Sequence, residues 1–305
     1  MDLQVLVAAV NEDVDKLAEK MHLETEAIIV NQCDHFAYQE YFHEGKKIQC
    51  FCMAERGVGR SRNQALMRAD RELCLFSDED IVFYPGYGEI VKRAFEKNAD
   101  ADIITFNFEV DPSRATYYNQ TEKRIRWYNY GRYPTFAVAA RREALHRANV
   151  SFSLLFGGGA KYSNGEDSLF LHDCLKKGLH LYAAVEEIGR EVYRESTWFK
   201  GYNEKFFVDR GVLYHHLYGG LAKVFSLRFL LAHHNGRDHH NGNDHYSERA
   251  HHSGRAYKEQ VYKENGHNGS ADKGNAQKRE VSREIALKEA YQLMKQGIRE
   301  GKGRH

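Results

Sequence analysis

Residues Glu72–Phe83 read ELCLFSDEDIVF, a largely apolar run that is followed, after Ser77, by three acidic residues. Glu72–Phe76 is typical of a strand buried on both faces of a parallel sheet. In an extended turn, Asp78 and Asp80 project to the same side, whereas Glu79 points away from them. Two such carboxylates are the hard oxygen ligands that Mg²⁺ and Mn²⁺ prefer. Taken alone, the pattern also fits an acidic helix-capping turn.

Strand-like and helix-like segments alternate on both sides of this stretch. Continuous apolar runs predict strands, and apolar spacings of three and four predict helices. The predicted strands are Leu3–Val10, Ala27–Val30, Ile48–Met53, Glu72–Phe76 and Ile103–Phe108, and the predicted helices cover 14–21, 60–69, 86–97 and 168–177. This order indicates an α/β protein with a Rossmann-like, doubly wound mixed sheet and helices on both faces. Ligands of such sheets bind beyond the carboxyl ends of the strands.

A second polar cluster, Arg56–Asn63 (RGVGRSRN), lies between the third and fourth predicted strands. Glycines at a helix start, together with several guanidinium groups, are typical of an anion site. The cluster is not a P-loop, because no Lys-Ser or Lys-Thr pair follows the glycines, and it lacks the third glycine of a dinucleotide fingerprint. A glycine loop that opens an ordinary basic helix explains it equally well.

A third cluster combines the glycine run Gly157–Gly159 with two acidic residues, Glu166 and Asp167. The acids precede the helix that is predicted to begin at Ser168. Acidic residues at a helix N-terminus are favoured by the helix dipole, by about 0.3–1 kcal/mol, so capping alone explains one of them. Across the crevice from a metal–diphosphate site, Asp167 has the chemistry of a general base.

In combination, these motifs resemble the family 2 glycosyltransferases of the GT-A fold. The resemblance rests on the order and spacing of LVAAVN at 6–11, IIVNQCD at 28–34, RGVGRSRNQAL at 56–66, LFSDEDIVF at 75–83, DIITFNF at 102–108 and GEDSLF at 165–170. A further segment, STWFKGYNEKFFVDRGVLY at 196–214, is similar to bacterial polysaccharide-assembly transferases. Glu79 departs from the all-Asp run that is common in the family, which leaves the pair of Asp78 and Asp80 intact.

The resemblance implies a metal-dependent inverting glycosyltransferase of capsule, exopolysaccharide or other surface polysaccharide synthesis. It would move a sugar from a nucleotide-sugar donor, a UDP-sugar above all, to a glycan or lipid-linked acceptor. Asp78 and Asp80 would hold Mn²⁺ or Mg²⁺ on the diphosphate. Asp167 would take the proton of the acceptor hydroxyl, and Glu166 would help shape the acceptor site. The implied donor-binding residues are Asn11, Asp34, Arg62, Asn63 and Asp78, and the implied acceptor-binding residues are Trp198 and Tyr202.

Several alternatives stay open at this point. A nucleotidyltransferase shares the sheet and the acids but needs a basic glycine loop near the first strand, where this chain has VAAVNEDVDK at 7–16. A non-catalytic nucleotide-sugar or glycan-binding protein does not need Asp78, Asp80 and Asp167 together, so their joint presence favours the enzyme. For the aromatic residues Trp198 and Tyr202, plain core packing is as good an explanation as acceptor binding.

Composition divides the 305 residues into parts of different character. The 44 basic and 43 acidic residues nearly cancel, which argues against a nucleic-acid partner. Residues 233–278, rich in His, Gly and Asn, predict a disordered insertion that binds metal only adventitiously. We therefore expect a GT-A domain at 1–232, with a nucleotide-sugar half at about 1–110 and an acceptor half at about 111–232. A C-terminal amphipathic helix at 279–300 is expected to dock on this domain.

The five cysteines are an odd, sparse set, which favours free thiols in a reducing compartment. Cys50-x-Cys52 fits a buried strand better than a zinc site, because zinc needs a second ligand pair. The N-terminus lacks the basic lead of a signal peptide and no apolar stretch could span a membrane, so we expect a cytoplasmic protein. The amphipathic run Leu217–Leu231, with Lys223 and Arg228, fits either peripheral membrane contact or packing on the protein itself.

Overall fold

The structure of the chain is a computed structural model that describes residues 1–112, 115–192, 201–239 and 285–303. The chain divides into two units, Met1–Lys200 (unit 1) and Gly201–His305 (unit 2). The sequence-derived boundaries near 232 and 279 stay predictions, and residues 240–284 lie outside the described part. Most of the His-rich segment that was predicted to be an insertion lies there as well.

Ten strands of unit 1 form one sheet. Five of them contain the predicted apolar runs: β1 (Leu3–Val10), β2 (Glu26–Gln32), β4 (Lys46–Met53), β5 (Leu73–Asp78) and β7 (Ile103–Glu109). The other five are β3 (Ala37–His43), β6 (Ile81–Phe83), β8 (Lys123–Ile125), β9 (Val138–Arg141) and β10 (Leu181–Glu191). The strand order is β3-β4-β2-β1-β5-β9-β7-β10-β6, and β8 pairs with β10.

The sheet is mixed, as the sequence predicts. Strands β4, β2, β1 and β5 run parallel to their neighbours within this group. Strand β9 is antiparallel to both β5 and β7, and β3 is antiparallel to β4 at one edge of the sheet. Because the four central strands are parallel, their last residues, Val10, Gln32, Met53 and Asp78, lie along the same edge of the sheet. We call this the carboxyl edge.

Helices cover both faces of the sheet. They are α1 (Val14–Lys20), α2 (Val58–Arg68), α3 (Tyr87–Lys97), α4 (Arg142–Ala148) and α5 (Glu166–Lys176). Alternate side chains of β1 point to opposite faces. Val5 and Val7 therefore share a core with α1 and α3, whereas Leu6 shares a second core with α2, α4 and α5. The predicted layering of the α/β sheet is confirmed.

Three phenylalanines of the second core lie directly beneath the carboxyl edge. Phe152 and Phe170 stack with ring centroids 4.0 Å apart, and Phe76 contacts both rings edge-on. All three are buried, and burial of such a side chain contributes about 1.5–3 kcal/mol. Because Phe76 leads into the acidic turn and Phe170 follows the two acids of α5, this contact holds together two segments that carry site residues.

Unit 2 consists of helices α6 (Glu204–Tyr218), α7 (Ala222–His239) and α8 (Leu287–Lys302). Asn203 caps the N-terminus of α6, because its side chain accepts a hydrogen bond from the backbone N–H of Phe206 at 2.9 Å. Helices α6 and α8 approach each other through glycines, since a Cβ on Gly297 would lie 2.0 Å from the carbonyl oxygen of Val208. None of the described helices has both the length and the apolar character needed to cross a membrane.

Candidate active site

Arg62 lies at the carboxyl edge with three of the predicted site carboxylates around it. Its Nη2 donates to both carboxylate oxygens of Asp78, at 2.9 and 3.2 Å. Its Nη1 donates to Asp167 at 3.0 Å and to Glu166 at 3.4 Å. We call these four residues the acid cluster. The fold therefore joins a helix start near residue 60, a strand end and a second helix start more than a hundred residues later.

Two glycines allow the start of α2 to place Arg62 at this point. Gly57 has a φ of 125°, a conformation that other residues rarely adopt. A Cβ on Gly59 would lie 2.4 Å from the carbonyl oxygen of Ser153, so α2 packs directly against that loop. Arg62 is only 4% exposed as a result, and its guanidinium lies 5.5 Å from the ring centroid of Phe152.

The carboxylates of the cluster come from two elements. Asp78 is the last residue of β5, and Glu166 and Asp167 are the first two residues of α5. The helix was predicted to begin at Ser168 but begins at Glu166, directly after Gly165 with its positive φ of 109°. Both acids therefore lie in the first turn of α5, where the helix dipole favours negative charge.

Negative charge outweighs positive charge at this edge, and the pKa values respond to it. Burial, followed by the charge of Asp167, raises the pKa of Glu166 to about 7. Burial, followed by the charge of Asp78, raises the pKa of Glu79 to about 7. Although burial lowers the pKa of Arg62, the surrounding carboxylates raise it overall. Crowded acids with perturbed pKa values are typical of functional sites, because folding alone gains nothing from them.

Asp80 lies two residues beyond Asp78, between β5 and β6. Its carbonyl oxygen accepts a hydrogen bond from the backbone N–H of Val192 at 2.8 Å, which fixes the acidic turn against the end of β10. Mg²⁺ and Mn²⁺ typically take one or two protein carboxylates and complete their coordination with water and substrate phosphates. The donor chemistry of Asp78, in a cluster with surplus negative charge, and of Asp80, two residues further along the chain, fits such an ion.

Asn63 uses its side chain to hold the neighbouring loop. Its Nδ2 donates to the carbonyl oxygen of Phe152 at 2.9 Å, and its Oδ1 accepts from the backbone N–H of Phe152 at 2.8 Å. These two hydrogen bonds fix the loop against which Arg62 packs. Asn63 thus lies beside the predicted donor site, with both ends of its amide engaged in the protein.

Asn11 and Asp34 follow β1 and β2 at the carboxyl edge. The side-chain oxygen of Asn11 accepts from Nη2 of Arg56 at 3.3 Å, while Nη1 of Arg56 donates to the carbonyl oxygen of Gln32 at 2.7 Å. The carboxylate of Asp34 is 94% exposed and lies 2.9 Å from Nδ1 of His35. In the part of the chain that the structure describes, no hydrogen bond joins Asn11 or Asp34 to the acid cluster.

The start of α2 already uses backbone N–H groups within the protein. Gly57 donates to Oε1 of Gln32 at 2.7 Å, and Val58 donates to the carbonyl oxygen of Gly158 at 2.9 Å. A helix start binds an anion through such groups when they are left without internal partners. The segment Arg56–Asn63 had two interpretations, an anion site and a glycine loop that opens a basic helix. The second is therefore favoured.

Sequence reasoning missed one buried residue of the site, Thr135. Its hydroxyl donates to Oδ1 of Asp167, and the residue is only 1% exposed. Thr135 lies in the connection between β8 and β9, where no motif or periodicity marks it. Only the folded chain shows that this hydroxyl and Arg62 hold the same carboxylate.

Of the two predicted acceptor-binding residues, Tyr202 belongs to the described part of the chain and Trp198 does not. Tyr202 lies in unit 2 just before α6, is 42% exposed, and packs edge-on against Phe206 with ring centroids 5.0 Å apart. Trp198 lies outside the described residues. An acceptor-binding role for either residue stays a prediction.

Comparison with known proteins finds one matching sequence family. The sequence model of glycosyl transferase family 2 matches residues 7–153, a range that contains Arg62, Asp78 and Asp80. This stretch, just under half of the chain, is thus similar to glycosyl transferase family 2. The match ends before Glu166 and Asp167, which lie in the following segment of unit 1. No curated protein matches the chain.

Solved structures agree with the predicted GT-A fold. The crystal structure of S. aureus TarS 1-349 in complex with UDP-GlcNAc is 18% identical, with a TM-score of 0.52 over 71% of this chain and 66% of that one. A second S. aureus TarS crystal structure is 13% identical, with a TM-score of 0.50 over 70% of this chain and 39% of that one. The chain thus spans just under two thirds of the shorter TarS structure. At these identities the likeness concerns the fold.

Proposed function

We propose that the protein transfers a sugar, with inversion, from a UDP-sugar or another nucleotide sugar to a glycan or lipid-linked acceptor in surface polysaccharide synthesis. The observation that carries this proposal is the acid cluster at the carboxyl edge of a family 2 glycosyltransferase fold. Open α/β sheets bind their ligands at this edge. S. aureus TarS, which has a similar fold, was crystallised with UDP-GlcNAc.

Asp167 acts as the general base in this proposal. Arg62 and Thr135 both donate to its Oδ1, which fixes the orientation of the carboxylate. The acceptor hydroxyl oxygen bonds to the anomeric carbon while its proton passes to Asp167. The bond between that carbon and the diphosphate oxygen breaks, and the nucleoside diphosphate leaves with the electron pair. Attack from the face opposite the leaving group inverts the anomeric configuration, and Glu166 beside the base shapes the acceptor site.

Asp78 and Asp80 are the residues that hold Mn²⁺ or Mg²⁺. When bound, the ion supplies positive charge to the diphosphate as negative charge develops on the leaving group. Arg62 donates to both oxygens of Asp78 and so fixes that carboxylate at the end of β5. A preorganised charge of this kind stabilises a transition state without reorganisation during the reaction.

The donor lies over the ends of β1 and β2 in this proposal. Asn11 and Asp34 follow those strands, and the exposed carboxylate of Asp34 is accessible to a nucleobase. Asn63 contributes by fixing the loop at Phe152, and Arg62 by fixing the acids. Acceptor contacts by Tyr202 and Trp198 remain part of the proposal.

Donor binding with and without metal tests this function. Ligand binding raises the apparent melting temperature by mass action, so a panel of nucleotide sugars is screened with Mn²⁺, with Mg²⁺ and with a chelator. We expect one UDP-sugar to stabilise the protein only when a divalent ion is present. Asp80→Ala is expected to lose this shift, whereas Asp70→Ala, an exposed acid before β5, is expected to keep it.

The alternatives give different results in the same assay. A binding protein shows the metal-dependent shift but releases no nucleoside diphosphate when acceptor glycans are added. A nucleotidyltransferase is stabilised by nucleoside triphosphates and sugar phosphates in place of nucleotide sugars. Unchanged Mn²⁺-dependent donor binding by Asp80→Ala would overturn the metal assignment.

The proposal also includes contact with the cytoplasmic face of a membrane, through α7. Four apolar side chains at spacings of three and four lie on its exposed side or in the turn before it: Leu221, Val224, Leu227 and Leu231, which are 45–63% exposed. Ala222, Ser226 and Leu230 are buried on the opposite side. A helix with an apolar face toward solvent and cations beside it is typical of peripheral membrane contact.

The charges around this face favour an anionic lipid surface. Lys223 and Arg228 flank the apolar side chains, and the sequence has no acidic residue between Asp209 and Asp238. Each such cation contributes about 1 kcal/mol at an anionic membrane.

Vesicle co-sedimentation of the full chain tests this contact. We expect binding to phosphatidylglycerol-containing vesicles and much less to phosphatidylcholine alone. The double variant Val224→Asp/Leu231→Asp is expected to lose binding, whereas Gln292→Asp, an exposed position on α8, is expected to keep it. Equal binding by both variants would contradict the contact.

A further inference from the structure

A group of three metal-ligating side chains lies outside the acid cluster. Sγ of Cys33, Sγ of Cys52 and a ring nitrogen of His35 all lie within 4.8 Å of one another. Among the residues that the structure describes, no other group of three or more His, Cys, Asp or Glu meets this criterion. The proposed glycosyl transfer has no use for thiols, so the group is independent of that chemistry.

The backbone holds the two cysteines side by side on a rigid part of the sheet. Cys33 directly follows β2, Cys52 is the penultimate residue of β4, and the two strands are parallel neighbours. The backbone N–H of Cys33 donates to the carbonyl oxygen of Met53 at 3.0 Å, which continues this pairing past the end of β2. The relative position of the two sulfurs is therefore set by strand hydrogen bonds, as a preorganised ligand pair requires.

The sequence pattern alone points to a different pair, Cys50 and Cys52. The strand interpretation of that pair is confirmed, because both residues belong to β4 and Cys50 is buried in the core with Tyr41 and Ile48. The partner that Cys52 lacked in the sequence analysis is Cys33, from a neighbouring strand. The pairing of β2 with β4 thus brings a second cysteine ligand beside Cys52. The spacing of the cysteines in the sequence does not reveal this pairing.

His35 provides the third ligand from the turn after β2. Its Nδ1 lies 2.9 Å from Oδ1 of Asp34. A carboxylate only accepts hydrogen bonds, so Nδ1 of the neutral ring donates to it and Nε2 keeps its lone pair. Histidines that bind metal commonly donate their other nitrogen to a carboxylate in this way, which orients the ring and raises its basicity.

We propose that Cys33, His35 and Cys52 bind a zinc ion. Two thiolates and an imidazole are ligands that zinc accepts in a tetrahedral site, and three protein ligands leave the fourth position for water or another ligand. The same set disfavours Mg²⁺ and Mn²⁺, which prefer oxygen. Cys33 and Cys52 are nearly buried, at 8% and 9% exposure, whereas His35 is exposed at the rim. The ion therefore binds from the solvent side of the carboxyl edge.

Cobalt titration of the reduced, metal-free full chain tests this site. Co²⁺ bound to cysteine gives a thiolate-to-cobalt charge-transfer absorption, which the histidines of residues 233–278 cannot produce. We expect this absorption to saturate at one equivalent and to disappear when Zn²⁺ displaces the cobalt. Cys33→Ser and Cys52→Ser are each expected to change or abolish it, whereas Cys74→Ala, a buried cysteine on β5, is expected to leave it unchanged.

His35→Ala provides a test that does not disturb the core, since the His35 side chain is 61% exposed. We expect Zn²⁺ affinity to fall at least about tenfold, because removal of a group that merely orients a ligand already costs about 10–100-fold. Melting temperature without metal should stay at the wild-type value. Absence of the thiolate absorption, its persistence in the double variant Cys33→Ser/Cys52→Ser, or an unchanged affinity in His35→Ala overturns the site.

The result is separable from that of the glycosyltransferase assay. Mn²⁺-dependent donor binding is assigned to Asp78 and Asp80, and cobalt absorption to the thiols of Cys33 and Cys52. Loss of one readout with retention of the other therefore identifies which assignment fails.

Discussion

Helix α2 of unit 1 carries a buried arginine against three carboxylates, whereas α6 and α8 of unit 2 meet through glycines. In unit 1, Arg62 is 4% exposed and donates to Asp78, Glu166 and Asp167. In unit 2, a Cβ on Gly211 or Gly297 would lie about 2 Å from a backbone oxygen of the facing helix. Glycine contacts of this kind serve packing, while crowded charges oppose folding and indicate function. Mutations at the acid cluster should therefore affect transfer as well as stability, whereas mutations at the glycine contacts of unit 2 should affect stability alone.

The largest expected effect is on catalysis, at Asp167. Asp167→Asn keeps the size of the side chain and an oxygen for Thr135, but it cannot accept the acceptor proton. We expect transfer to fall about 10²–10⁴-fold, the usual contribution of a general base. Donor affinity and the urea unfolding midpoint should stay near the wild-type values. Transfer at the wild-type rate would remove Asp167 from the mechanism.

A stability effect of several kcal/mol is expected at Arg62. Arg62→Met leaves three carboxylates without their shared cation, and breaking a buried ion pair in this way costs about 3–5 kcal/mol. The control is Arg60→Met, which removes a partly exposed ion pair with Glu55 at 3.1 Å and should cost at most about 1 kcal/mol. Urea unfolding of both variants gives the comparison. Equal losses of unfolding free energy in the two variants would mean that the ion pairs of Arg62 are as well solvated as that of Arg60.

A smaller loss is expected in unit 2. Gly297→Ala forces α6 and α8 apart, because the new Cβ has no room at the carbonyl oxygen of Val208. Overpacking typically costs about 1–3 kcal/mol. Gly303→Ala, where a Cβ meets nothing closer than 3.9 Å, serves as the matched control. Donor binding, which we assign to unit 1 alone, should be retained in both variants. Its loss in Gly297→Ala would contradict this assignment.

The smallest expected effect is a pH dependence carried by Glu166. Its pKa is raised from 4.5 to about 7 in the folded protein, mainly by burial and then by Asp167. Its contribution to stability is fully present below pH 4.5 and is lost as the pH rises through about 7, because the unfolded chain releases the proton more readily. Between pH 5 and 8, wild type should lose on the order of 1 kcal/mol more than Glu166→Gln. If urea unfolding gave the same change of unfolding free energy with pH for both proteins, this prediction would be wrong.

The sequence predicts most of the central sheet for a simple physical reason. Strands β1, β2, β5 and β7 are buried on both faces, so their apolar runs are continuous. Strand β3 was missed because it lies at the edge of the sheet and reads AYQEYFH, with most side chains exposed or half-exposed. Strands β9 and β10 were missed because their place depends on pairing with distant strands, which local periodicity does not encode.

The candidate site was predictable only in part. Residues that follow strands converge at the carboxyl edge, so the proximity of Asp78 to the start of α2 follows from topology. The direction of a long side chain does not, and Arg62 was therefore expected beside the nucleotide and not as the shared partner of three acids. The hydrogen bond of Thr135 and the neighbouring sulfurs of Cys33 and Cys52 depend on register, which spacing in the sequence leaves undetermined.

One measurement tests the central claim, that Asp78 and Asp80 of unit 1 hold a metal-bound sugar nucleotide. Crystals grown with Mn²⁺ and the UDP-sugar identified by thermal shift are measured at a wavelength where manganese scatters anomalously. We expect a single strong anomalous peak between the donor diphosphate and the carboxylates of Asp78 and Asp80. Donor density at the carboxyl edge without such a peak, or a manganese peak away from both aspartates, would contradict it.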